Sequence, residues 1–128
     1  MKGVPVVRVS ILVVALAAMS VSVASASRLV HATLHASPNP VKAGHTLTLK
    51  GNAHPGCVAG DMVTIMSKAF VHTHEFADIP AVYATVHSGG SFRTTTVIPA
   101  ARKAGTYTIT ARCGGGNLGV GVHLHVTH

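Results

Sequence analysis

Beyond residue 26, apolar and polar residues alternate along most of the chain with a period of two. Val30, Ala32 and Leu34 alternate with His31, Thr33 and His35. That predicts a first strand with one inward face, since successive side chains of a strand point to opposite sides. Pro38 and Pro40 end it, because proline cannot donate to a strand ladder. Residues 45–53 set Leu47, Leu49, Gly51 and Ala53 against Thr46, Thr48, Lys50 and Asn52. The turn-rich segment 54–61 carries Cys57, and residues 62–67 give a further strand with Val63 and Ile65 inward. Residues 67–80 have no clean period and read as a long connection or an irregular edge strand. Alternation returns in 81–87 through Val82, Ala84 and Val86. The Ser-Gly-Gly-Ser of 88–91 then predicts a tight turn that pairs 81–87 with 92–99 as a hairpin. Tyr107, Ile109, Ala111 and Cys113 share one face of 106–113. In 118–127, Leu118, Val120, Val122, Leu124 and Val126 point inward together, which turns His123 and His125 outward. Helical periodicity is absent here. About seven strands with polar turns between them predict an all-β, antiparallel sandwich.

The first part of the chain has a different character. Lys2 and Arg8 supply a basic start, residues 9–19 are apolar, and Ala24-Ser25-Ala26 has the small-residue form that a signal peptidase accepts. Residues 1–26 therefore read as a secretory signal peptide, removed after Ala26. The apolar stretch is shorter than the roughly 20 residues a transmembrane helix needs. Residues 27–128 are then one domain, expected outside the cell and touching the membrane only through the leader before cleavage. Exactly two cysteines, Cys57 and Cys113, remain in it. Only one intramolecular pairing exists for them, and oxidising conditions outside the cell favour it. Closing that loop is worth about 4 kcal/mol in the chain-entropy model.

These pieces resemble the small immunoglobulin-like domains of exported bacterial proteins, especially those of actinobacterial type. The resemblance rests on residues 37–53 (SPNPVKAGHTLTLKGNA), on Cys57 soon after that strand, on residues 89–99 (GGSFRTTTVIP) and on residues 103–113 (KAGTYTITARC). It spans roughly residues 30–126 and implies an immunoglobulin-like sandwich that binds or braces without catalysis. Two features depart from the antibody-type pattern. The chain has no tryptophan to pack on a disulfide, and Tyr107 stands six residues before Cys113 where the pattern has two. A looser similarity exists to the enediyne-binding apoproteins related to neocarzinostatin, which carry two disulfides where this chain can form one.

Composition then narrows the chemistry. Eight Lys and Arg against three carboxylates leave +5 on residues 27–128, and all ten histidines fall there. Such a chain adheres weakly to anionic polymers, the bacterial wall included. His72 and His74, and His123 and His125, form H-x-H pairs whose imidazoles share a strand face and can chelate copper or zinc, with Glu75 as an oxygen ligand. Exported copper-binding sandwiches are similar in this respect, although they usually begin with a histidine where cleavage here leaves Ser27. Two ligands fall short of the three or four of a zinc site, so solvent-facing polar histidines are the competing reading. Met62 and Met66 share a face and read as core fillers.

Phe70, His72, His74, Glu75 and Phe76 make the irregular stretch the best candidate binding loop, because recognition on rigid sandwiches concentrates in such segments. Its competing reading is an ordinary connection. Three carboxylates and no nucleophile motif argue against an enzyme. Scattered cations and few aromatic residues argue against nucleic acid, and Arg102-Lys103 read as a solvated loop. The expected partner is an extracellular protein or a wall polymer, with no required cofactor.

Overall fold

The computed structural model describes residues 31–128, together with Gly3 and Pro5. The leader assigned to residues 1–26 and the inward position given to Val30 lie outside the described residues. Among the described residues nine strands form: β1 (Thr33–Ser37), β2 (Val41–Lys42), β3 (Thr46–Asn52), β4 (Met62–Met66), β5 (His74–Phe76), β6 (Ile79–Thr85), β7 (Ser91–Val97), β8 (Gly105–Cys113) and β9 (Gly116–Thr127). They make two sheets, β1-β3-β7 and β2-β9-β8-β4-β6-β5. The excess over seven is the two-residue β2 and the three-residue β5, both at edges of the larger sheet.

The core follows the alternation. Leu47, Leu49, Phe92 and Ile98 face it from the smaller sheet's strands and their extensions. Val63, Ile65, Val82, Ala84, Ile109, Ala111, Leu124 and Val126 face it from the larger. Each fully buried Leu, Ile, Val or Phe stabilises by about 1.5–3 kcal/mol relative to exposure. Gly51 is required by the close approach of β1: a Cβ there would fall inside the Thr33 carbonyl and 2.9 Å from the Phe92 ring.

Two expectations are corrected. Not every pair is antiparallel, because β2 runs parallel to β9, with Val41 opposite Val126. The chain leaves the smaller sheet at Pro38-Asn39-Pro40 and continues onto the larger one, so its leading segment serves both. Asn39 bridges the change. Its Nδ2 donates to the His123 carbonyl at 2.9 Å, and its Oδ1 accepts from the His125 N–H at 3.0 Å, standing in for a strand where proline cannot donate. Second, β6 and β7 do not form a hairpin. β6 pairs with β4 and β5, β7 pairs with β3, and the turn Ser88–Gly90 carries the chain between sheets. Gly89 and Gly90 both have positive φ, and Gly90 packs where a Cβ would strike His54. The Asn52 amide donates to Gly89 O, and Ala53 N–H donates to Gly90 O, tying that turn to the end of β3.

The segment 67–80, read as a long connection or an irregular edge strand, supplies the short edge strand β5. Ser67 N–H donates to Pro80 O, Phe70 N–H to Ser67 O and Val71 N–H to Val97 O, after which β5 pairs with β6 through a two-residue turn. Arg102, expected in a solvated loop, donates from Nε to Ala69 O at 3.2 Å and from Nη2 to Phe70 O at 2.9 Å. It clamps this turn to the β7–β8 connection. Cys57 and Cys113 form the predicted disulfide, with Cα atoms 5.7 Å apart, linking the β3–β4 connection to the end of β8.

Candidate functional surfaces

The outer face of the larger sheet carries most of the residues singled out above. Met66 pairs with Ala81 on β4 and β6, and both alternate with the inward Ile65 and Val82, so both point outward. Yet Met66 is only 7% exposed and Ala81 is fully buried. The Arg112 guanidinium carbon, from β8, lies 4.9 Å from the centre of the Phe76 ring, from β5, although β4 and β6 separate those strands. The two side chains therefore reach toward each other over the sheet, in a cation–π contact. Arg112 Nη2 also donates to Gly115 O at 3.2 Å, while its buried Nε has no partner among the described residues. The sequence offers no signal for this pairing, because it depends on how the edge hairpin curls.

Within the candidate binding loop the residues separate. Phe70 is fully buried in the core cluster, so it is no contact residue, while Arg102 holds its carbonyl and Ser67 O accepts from its N–H. His72 Nε2 bonds Glu75 Oε1, and both side chains are about half exposed, 54% and 49%. Exposed pairs of this kind contribute roughly 0–1 kcal/mol. His74 lies against Tyr83 with ring centres 5.0 Å apart and a 46° tilt. Met62, expected as a core filler, is instead 51% exposed on this same outer face.

The two histidine pairs stand near opposite edges of the larger sheet. His74 is on β5 and His72 just before it, while His123 and His125 are on β9, with β8, β4 and β6 between. At about 4.8 Å per strand spacing the pairs are separated by roughly 19 Å. They cannot share an ion within one chain. The backbone of the β9 pair is held by Asn39, and Thr106 Oγ1 lies 3.1 Å from His125 Nδ1. Among the described residues, the grouping that brings three metal-ligating atoms within 4.8 Å is Cys57, Asp61 and Cys113, and both its sulfurs belong to the disulfide.

Two hollows open on the larger sheet's surface. One, of about 550 Å³, is lined by Asp61, Met62, Thr64, Tyr83, Cys113 and Gly114, with Gly56. The other, of about 340 Å³, is lined by Met66, Ser67, Lys68, Ile79, Thr106, Tyr107, Thr108 and Thr110. Among the described residues no helix is long and apolar enough to cross a membrane.

No protein-family model matches the chain, and no curated protein matches it. Among solved structures it is similar to the Pseudomonas fluorescens alkylpurine DNA glycosylase AlkC, bound to DNA containing an abasic site analog. The TM-score is 0.50 and the identity 15%, over 77% of this chain and 30% of that one. The chain thus corresponds to less than a third of the glycosylase, and the likeness is one of fold alone.

Proposed function

We propose that the chain is an exported, non-catalytic immunoglobulin-like module that binds at the cell exterior. The strand order supports the immunoglobulin-like part: a leading segment shared by both sheets, β1-β3-β7 packed on β9-β8-β4-β6, and a disulfide from beyond β3 to the end of β8. The observation that carries the reading is the Cys57–Cys113 bond itself. Disulfides persist in oxidising compartments, and a domain of this size gains much of its stability from such a tie. Its companion in the sequence is the leader of residues 1–26, with a cut after Ala26. Binding is assigned to surfaces because the interior is packed with Leu, Ile, Val and Phe and the hollows described open outward.

The test is the intact mass of protein secreted by cells expressing the full-length chain, before and after denaturing reduction. A polypeptide that begins at Ser27 and gains two hydrogens on reduction supports the reading. Retention of residues 1–26, or two free thiols in freshly secreted protein, overturns it.

A further inference from the structure

The smaller sheet presents an outward face that neither the core nor the disulfide uses. Its register places His35 opposite Lys50, and Lys50 opposite Arg93, so one row across three strands is cationic or protonatable throughout. All three residues are exposed. Neighbouring strands lie about 4.8 Å apart, so their three attachment points fall within roughly 10 Å. The chain's only carboxylate side chains, Asp61, Glu75 and Asp78, sit beside β4 or in the β5–β6 hairpin of the other sheet. None balances this row. Like charges directly opposite each other on paired strands destabilise a sheet, so Lys50 against Arg93 works against the fold unless something anionic sits over it.

What flanks the row points to the class of anion. On one side Thr33, Asn52 and Ser91 are in register, and on the other Ser37, Thr48 and Thr95. The Asn52 side chain is already held by Gly89 O and the His54 N–H, so the groups these rows offer are the short hydroxyls of the threonines and serines, able both to donate and to accept hydrogen bonds. Tryptophan is absent from the whole chain, and neither Tyr nor Phe stands in these three rows, so stacked bases have no platform there. A face with central cations and hydroxyl borders fits a chain of acidic sugars.

We propose that the outer face of β1-β3-β7 docks an anionic polysaccharide. Its acidic groups engage Lys50 and Arg93, with His35 as the third member, and its sugar hydroxyls bond the flanking threonines and serines. The proposal names the partner class of the exported module and rests on that reading.

The experiment is titration of the secreted, oxidised protein with polygalacturonate, with neutral dextran and a short DNA duplex alongside. Polygalacturonate binds and dextran does not. The double variant Lys50→Ala/Arg93→Ala weakens binding at least about tenfold, because charge-assisted contacts dominate such an interface. The control Lys42→Ala/Lys103→Ala removes the same charge from exposed positions outside the row and changes affinity less than about twofold. Equal weakening by both variants overturns the proposal and leaves net charge alone. Duplex DNA that binds as tightly as polygalacturonate also overturns it, as does an absence of polygalacturonate binding. Circular dichroism of each variant confirms the fold before its affinity is read. These failures leave the exported-module reading standing, since leader removal and oxidation are measured on the same material.

Discussion

Thr96 turns its side chain toward the packed interior, is 5% exposed, and its Oγ1 has no hydrogen-bond partner among the described residues. A buried hydroxyl without a partner costs about 1–3 kcal/mol. Valine matches its shape and lacks the oxygen, so Thr96→Val is expected to stabilise by about 1 kcal/mol, read as a higher urea midpoint with unchanged slope. Gly51 has the opposite sign. Gly51→Ala forces its methyl into the Thr33 carbonyl, and β1 must move off β3, at a cost of about 3 kcal/mol in the same assay. The sequence shows that Gly51 lies on an inward face, but not that a neighbouring backbone fills the space above it. Side-chain direction is local and legible. The identity of what lies opposite is not, which is also why Phe76 and Arg112 give no hint of each other.

At the scale of elements, the two residues linking β5 to β6, Ala77 and Asp78, both have positive φ, 50° and 66°. Tight hairpins want this geometry, but they take it most readily with Asn-Gly. Replacing Ala77-Asp78 by Asn-Gly is therefore expected to stabilise by about 1 kcal/mol and to slow amide exchange in His74 and Glu75. A fall in stability would mean that the Asp78 side chain does more than turn the chain. The same residues explain why the sequence left this segment open between a connection and an irregular edge strand: Ala-Asp is not a hairpin signal. Ser-Gly-Gly-Ser is one, yet it marks the crossing between β6 and β7. Alternation fixes which face of a strand is buried and leaves its partner open, since residues 92–98 alternate equally well beside β6 or beside β3. The seven longer strands were legible to within two or three residues at their ends, because Leu47, Leu49, Ile109 and Leu124 each stand in a strict two-residue pattern. Of the candidate site residues, the outward direction of His123 and His125 was legible from Leu124. The burial of Phe70 was not, since residues 67–80 carry no alternation to tell which way its ring turns.

For the whole molecule, the disulfide closes a loop across a sequence separation of 56 and is expected to contribute about 4 kcal/mol. Urea unfolding of Cys57→Ala/Cys113→Ala against the oxidised protein measures it. A loss below about 1 kcal/mol would show that packing alone orders the β3–β4 connection. The parallel pairing of β2 with β9 acts on a different property. Val41 and Lys42 run alongside Val126 and Thr127, and Ala43 N–H donates to Thr127 O at 2.8 Å. The two partners point the same way, so tension applied before β1 and after β9 drags them past each other in opposite directions. Every bond between them then bears load at once, where a hairpin would release its bonds one after another. A seam of this geometry resists stretching more stiffly than a hairpin of the same length does.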